Sequence, residues 1–378
     1  MLTAAGGPST PRKTYVQIQA ALVESPGGPF TLRTLDLDLP RSDEILVRVT
    51  AAGICHTDLG MRQAWPRERL PMVFGHEGAG VVEAVGDAVT TVAPGDTVCL
   101  TYQSCGVCQP CAAGTPSYCE HAGALNMGGS RRDGSTSHSG PDGTPVYGNF
   151  FGQSAFATHC LTTASNTIRV PADLSPAIIA PLGCSVQTGV GTVRTVLRPR
   201  PDTTLAVFGA GSVGLSAIMA AVADGHAVIA VEPLAARRTL ARKLGAAAVI
   251  DPTTEDDVAA AVRDASHGGP HFAIDTTGRP AVVPQALHAL RKQSTLALVG
   301  IGTAQFDTMP VITKGITIRG VTEGETNPAE AIPQLINLYR QGKLPLETLI
   351  TEFPFTDIEA AADATLAGHV IKPVLTFA

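Results

Sequence analysis

The chain reads as an α/β protein: a doubly wound parallel sheet in its second half, joined to a mostly β first half that carries a metal-binding lobe. Three observations lead there. From about Ser185 short apolar strands alternate with helical segments, before it short strands are broken by glycine, and four cysteines crowd one loop. At 378 residues, 44% hydrophobic and 16% charged, the chain has room for two domains with a core each.

In the first half, Tyr15 to Leu22 and Glu44 to Ala52 alternate or run apolar at strand length. Gly80 to Val85 and Asp96 to Leu100 continue that style. Beyond Ser185 the spacing predicts strands at Leu205 to Phe208, Ala227 to Val231, Ala247 to Ile250, Phe272 to Asp275 and Thr295 to Val299. Helical spacing at Val213 to Asp224, Arg237 to Leu244 and Leu287 to Lys292 separates them. Strands and helices in alternation build a parallel sheet covered on both faces. A helix follows at Ile332 to Gln341, and the tail Ile350 to Phe377 returns to the β-rich texture of the first half, onto which it is expected to fold. The polar stretch Met127 to Gly148 reads as a surface loop near a cleft mouth, or as an insertion without a role.

Cys105, Cys108, Cys111 and Cys119 follow C-x2-C-x2-C-x7-C, a spacing that lets four thiolates converge on one tetrahedral zinc ion. A closed set of four leaves no position for a substrate, so this zinc is structural. Met1 to Arg12 reads as a loose tail and not a secretory leader, which argues against a disulfide knot and for a cytoplasmic protein. The formal charge of −6 speaks against a nucleic-acid partner. The longest apolar region, Leu205 to Val231, is interrupted by glycines, Asp224 and His226, so no membrane span is expected.

Gly209-Ala210-Gly211-Ser212-Val213-Gly214 is G-x-G-x-x-G, placed directly after a strand and opening a helix. There Gly209 permits the turn, Gly211 lets the backbone approach a pyrophosphate, Gly214 allows close packing, and the helix N-terminus offers N–H groups to phosphate. Glu232 ends the next strand, where an acid bonds the adenosine ribose and repels a 2′-phosphate. NAD is therefore favoured over NADP, although Arg237 and Arg238 are close enough in sequence to temper the preference.

Cys55, His76 and Cys184 are spread along the chain with no spacing rule to join them. Taken singly, a buried cysteine is a small hydrophobe and a histidine a satisfied polar group. Cys99 and Cys160 read as core.

Gly75-His76-Glu77-Gly78-Ala79-Gly80…Gly86…Val89 matches G-H-E-x-x-G-x5-G-x2-V. With the four-cysteine lobe and the glycine fingerprint in the same order, the chain resembles the zinc-dependent medium-chain dehydrogenase/reductase family, the alcohol dehydrogenases, along nearly its whole length. Tyr147 to Ser154 and Leu182 to Gly189 resemble its aryl-alcohol (benzyl alcohol) dehydrogenase branch. The resemblance implies a GroES-like catalytic domain over 1–185 and 321–378, with its zinc lobe at about 103–121, and a Rossmann dinucleotide-binding domain over 186–320. It implies two zinc ions per chain, one structural and one catalytic, the latter on Cys55, His76 and Cys184 with Glu77 behind.

Asp58, otherwise a turn-capping residue, would fix the tautomer of His76. Thr57, otherwise structural, would take the substrate proton. Many relatives pass that proton to a histidine where this chain has Gly60, so His56 or solvent must serve. His56 also matches a position that touches the cofactor pyrophosphate, as does Lys372, for which a solvated lysine is the competing reading. Thr188, Val213, Val299, Gly300 and Ile301 match positions bordering the nicotinamide. Trp65 lines the substrate pocket or simply packs. The implied activity is interconversion of primary aromatic or allylic alcohols and aldehydes with NAD(H), in a homodimer or homotetramer joined through the cofactor-domain sheet. The rivals are a reductase of an aldehyde or iminium, and a non-catalytic NAD-binding protein.

Overall fold

The structure, a computed structural model, describes residues 15–377, so the tail expected at Met1–Arg12 lies outside the described residues. Three sheets make up the chain. A six-stranded, all-parallel sheet runs in the order Ala248–Ile250, Ala227–Val231, Thr204–Phe208, Phe272–Asp275, Thr295–Leu298, Thr317–Gly320. Its central strands are unbroken apolar runs, with Leu205, Ala206, Val207 and Phe208 at most 1% exposed. That pattern needs cover on both faces, which helices such as Ser212–Ala223 and Val282–Ala289 provide. The order reverses between Thr204–Phe208 and Phe272–Asp275, which opens a crevice at the carboxyl ends of those strands. Thr317–Gly320 is an edge strand.

The first half forms two mostly antiparallel sheets. One is seven-stranded and centred on Glu44–Gly53, which pairs with Glu77–Val85, with His159–Thr163 and with Lys372–Thr376. The last of these returns the C-terminal segment to the sheet of the first half, and Val374 lies opposite Gly53. The other sheet has five strands and includes Tyr15–Val23 paired with Thr31–Asp38. No helix among the described residues is long and apolar enough to cross a membrane.

Three expectations need correction. Met127 to Gly148 is no free loop: it contributes His138–Ser139 and Pro145–Val146 to the five-stranded sheet. Arg131 within it is buried, donating to Glu44 at 2.6 and 2.9 Å and to Asp38 at 2.6 Å. The helix expected at Leu287 to Lys292 runs instead over Val282–Ala289, because Pro284 sits in its first turn, where no intrahelical N–H is needed, and Leu290 is already extended. The tail holds a helix, Ile358–Leu366, between its two strands.

Candidate active site and metal centres

Cys55 follows the strand Glu44–Gly53 and caps the helix His56–Ala64. One residue ties this turn to the next: Asp58, fully buried, accepts from Cys55 N through Oδ2 at 2.9 Å and from Gly75 N through Oδ1 at 3.2 Å. The same Oδ1 lies 2.8 Å from His76 Nδ1. Gly75 has φ +99° and a Cβ there would stand 2.4 Å from Phe156 N, so the bend that presents His76 requires glycine. Cys184 opens the helix Ser185–Gly191 directly after Gly183, where an added Cβ would stand 1.9 Å from Leu100 O.

These turns, remote in sequence, converge. Ligand atoms of Cys55, His76, Glu77 and Cys184 all lie within 4.8 Å of one another. His76 Nε2 is buried with no hydrogen-bond partner, so its lone pair faces the two sulfurs while Nδ1–H is held by Asp58. Cys55 is pushed well below the ordinary thiol range, first by its hydrogen bond with Cys184 and then, against burial, by His76 and Lys372. Cys184 is raised as the proton-bearing partner of that bond. An orphaned imidazole nitrogen beside an acidic thiol and a second sulfur is a donor set that fits zinc with one position left over.

Glu77 lies behind this cluster, where burial raises its pKa against the pull of Lys372. Lys372 is not the solvated lysine of the competing reading. It is only 2% exposed and donates from Nζ to both Glu77 oxygens at 2.8 Å and to Ile54 O at 3.2 Å. Its charge is paired with Glu77 and is not presented to bulk water. Thr57 Oγ1 is 3.8 Å from Cys55 Sγ, His56 is exposed at the mouth of the same turn, and nothing lies within 4 Å of a Cβ built on Gly60.

An aromatic wall flanks His76. Phe151 stacks on the imidazole at 4.5 Å between centroids and 27° between planes, and Phe150 meets it edge-on at 5.7 Å. Asn149 and Phe151 both have positive φ, +60° and +52°, conformations costly for a side-chain-bearing residue and kept here by the surrounding packing. Trp65 is buried edge-on to Phe74 and Phe150, with Nε1 donating to Arg69 O at 3.0 Å, so it supports this wall from behind and does not face a cleft.

In the lobe, the four sulfurs of Cys105, Cys108, Cys111 and Cys119 cluster with separations of 3.4 to 4.0 Å among the bonded pairs. A tetrahedron of zinc–sulfur bonds of about 2.3 Å has edges of about 3.8 Å, so four thiolates fit here. Backbone N–H groups of Val107 and Cys108 bring Cys105 down to about 6. All eight cysteines are free thiols.

At the crevice of the parallel sheet, Gly209 has φ +92°, and a Cβ on Gly214 would lie 1.9 Å from Gly209 O. Above Gly211 a Cβ would meet only an Arg237 nitrogen at 4.0 Å, leaving the backbone approachable. Ser212 Oγ, at the first position of the helix Ser212–Ala223, and Arg237 Nε are buried without partners, as expected of groups that meet a phosphate. Val213 is in that first turn. Glu232 is buried and accepts from Ala210 N at 2.7 Å and Leu234 N at 3.0 Å, tying the acid to the glycine loop. Arg238 pairs with Asp251 at 2.7 Å and donates to Glu232 O at 2.8 Å and Pro233 O at 2.6 Å. Val299, Gly300 and Ile301 follow the strand Thr295–Leu298, with Val299 N and Gly300 N both donating to Asp275 O at 2.9 Å and Ile301 exposed.

The sequence offered no signal for Glu323, which the fold brings to Thr188: its Oε2 accepts from Gln187 Nε2 at 3.1 Å and from Thr188 Oγ1 at 3.3 Å. Nor did it single out Gln153, whose Nε2 donates to His76 O at 2.8 Å and to Thr101 O at 3.0 Å, fixing the ligand loop.

Residues 41–172 match the alcohol dehydrogenase GroES-like domain family, and residues 212–341 the zinc-binding dehydrogenase family. The chain is 42% identical to a geraniol dehydrogenase of Castellaniella defragrans, over 96% of this chain and 98% of that one. The crystal structure of an alcohol dehydrogenase zinc-binding domain protein from Burkholderia ambifaria superimposes with a TM-score of 0.93 at 42% identity, covering 96% of this chain and 99% of that one. That of benzyl alcohol dehydrogenase from Acinetobacter calcoaceticus gives 0.91 at 39% identity, covering 96% and 100%.

Proposed function

The chain belongs to the zinc-dependent alcohol dehydrogenase family, and on that premise we propose that it interconverts primary aromatic or allylic alcohols and their aldehydes with NAD(H), carrying two zinc ions per chain. The observation that carries this reading is the convergence of Cys55, His76 and Cys184, with Glu77, beside the Phe150–Phe151 wall. The relatives named for geraniol and benzyl alcohol support the substrate class.

Cys55, His76 and Cys184 would hold a zinc ion, which would supply Lewis acidity at the substrate oxygen, and NAD(H) in the glycine cradle would supply the acceptor or donor of hydride. The chain's own residues do the rest. Asp58 holds the Nδ1–H tautomer of His76, so Nε2 stays a donor to metal. Thr57 Oγ1, beside Cys55, takes the proton of the substrate hydroxyl, and exposed His56 or water receives it next, since Gly60 offers no side chain. Phe150 and Phe151 pack against His76 and keep water from it, giving the site an apolar side suited to a ring or double bond next to the reacting carbon. The second zinc would sit in the four-cysteine lobe as a structural staple.

Glu232 and the engagement of Arg238 by Asp251 favour NAD over NADP. The edge strand Thr317–Gly320 and the exposed Ile301, Met309 and Ile312 nearby in the chain support association of two or four copies through the cofactor sheet. Eight free thiols support a reducing, cytoplasmic setting.

The test is a set of initial rates with NAD and NADP across benzylic, cinnamyl, terpenoid and short aliphatic alcohols, repeated after zinc removal. Conjugated primary alcohols with NAD should lead, and chelation should abolish turnover. Equal aldehyde reduction without metal would overturn the reading.

A further inference from the structure

Glu323 is a half-buried carboxylate that the zinc, relay and ribose roles leave unused. It follows the last strand of the parallel sheet in a turn whose residues Glu323, Gly324 and Glu325 all have positive φ, +51°, +64° and +52°. The turn is wedged tightly, since a Cβ on Gly324 would stand 2.5 Å from Gln187 O. A glutamate held in that backbone region carries a conformational cost that an asparagine or glycine would lessen.

Only one of its oxygens is engaged. Oε2 accepts from Gln187 and Thr188, whereas among the described residues no donor meets Oε1 and no cation pairs with the group. Gln187 itself is locked, with Nε2 also donating to Gly183 O at 2.6 Å and Thr101 Oγ1 at 3.0 Å. The helix bearing Thr188 presses on the helix that opens the glycine loop, Gly189 meeting Val213 and Ser216. The carboxylate therefore stands between the metal cluster and the dinucleotide cradle. Its field reaches both sides of the metal cluster: it adds to the rise of Cys184, after the Cys55 hydrogen bond and burial, and His76 in turn opposes the burial that lifts Glu323 to about 7.

We propose that Glu323 sets the cofactor preference of the site, its carboxylate placing a negative charge beside the nicotinamide so that the oxidised, cationic ring is bound in preference to the reduced, neutral one. This rests on the dehydrogenase reading above and deepens it. Hydride addition delivers two electrons and a hydrogen nucleus to the ring and removes its positive charge, so an unpaired carboxylate nearby discriminates between the two forms. The consequence is a site that fills with the oxidised cofactor and releases the reduced one readily.

The experiment measures dissociation constants of NAD+, NADH and ADP-ribose for the zinc-loaded wild type, Glu323→Gln and Glu323→Asp, at about pH 9, where a carboxyl of this kind is ionised. Glu323→Gln should weaken NAD+ relative to NADH by about tenfold, leave ADP-ribose unchanged, and be rescued by Glu323→Asp, which keeps the charge. An equal change in NAD+ and NADH, or a matching loss for ADP-ribose, overturns the assignment while leaving the dehydrogenase reading intact. Wild-type protein that binds ADP-ribose but gains nothing from either nicotinamide overturns both. Should Glu323→Gln not fold, the ratio in Glu323→Asp alone decides: a value far from wild type overturns the charge argument.

Discussion

Lys372 and Glu77 form a two-pronged bond, Nζ lying 2.8 Å from each carboxylate oxygen, across 295 residues of sequence and beneath the metal cluster. Both side chains are almost wholly inaccessible, at 3% and 0% exposure. A pair this deep is costly to break and less costly to replace, because a lone buried charge keeps its desolvation penalty with nothing to offset it.

Lys372→Met should therefore destabilise the fold by about 3–5 kcal/mol, and Lys372→Met with Glu77→Leu should recover most of that loss. Denaturant unfolding of the single and double variants measures it. An unchanged midpoint in the single variant would contradict the pairing.

Cys55→Ser should leave one zinc of two by elemental analysis and lower turnover by about a thousandfold or more, with ADP-ribose and NADH still bound. The cradle at Gly209 to Gly214 shares no side chain with the metal cluster, so the two functions separate. Substantial residual activity would show that Cys55 is not a ligand.

Cys108→Ser acts elsewhere. Cys108 is buried in a lobe whose small apolar cluster consists mainly of the cysteines themselves and Leu125, so metal contributes much of the lobe's stability. The variant should lose thermal stability while its remaining folded fraction turns over near the wild-type rate. Wild-type melting behaviour would exclude a structural zinc there.

His138 gives a pH dependence. Burial, with a smaller push from Arg131, lowers it from 6.5 to about 4. Between those values the unfolded chain binds a proton that the folded one refuses, so stability is fully present above 6.5 and drains as pH falls towards 4. The loss approaches about 3 kcal/mol at the bottom of that window. His138→Gln should flatten the slope of unfolding free energy against pH over that range; an unchanged slope would place the titration elsewhere.

The parallel sheet was legible because its strands are apolar on both faces and its glycine loop follows a strand at once. Both signals are local. The lobe was legible for the same reason, its four ligands lying within one loop. The metal cluster was not, since Cys55, His76 and Cys184 meet only through strand pairing and helix packing, and resemblance supplied what spacing could not. The burial of Lys372 was not legible because it depends on a partner from another strand. Arg131 hid in a stretch of polar, glycine-rich sequence for a like reason: Glu44 and Asp38, which hold it, lie far upstream. Glu323 gave no sign at all, since a Glu-Gly-Glu turn reveals neither its handedness nor the helix it touches.

The pairing of Lys372–Thr376 with Glu44–Gly53 also constrains how the molecule comes into being. Translation runs from the amino end, so the Glu44–Gly53 strand emerges with a flank that His159–Thr163 covers only from Glu44 to Arg48, while its Ala51–Gly53 end stays open until more than three hundred further residues have followed. Over that interval the nascent first half presents an unsheltered β ribbon, a template for mispairing between ribosomes on one message. Cells making this protein at high rate would be expected to rely on chaperone cover for that ribbon, and slowing initiation should raise the soluble yield more than any change at the catalytic cleft.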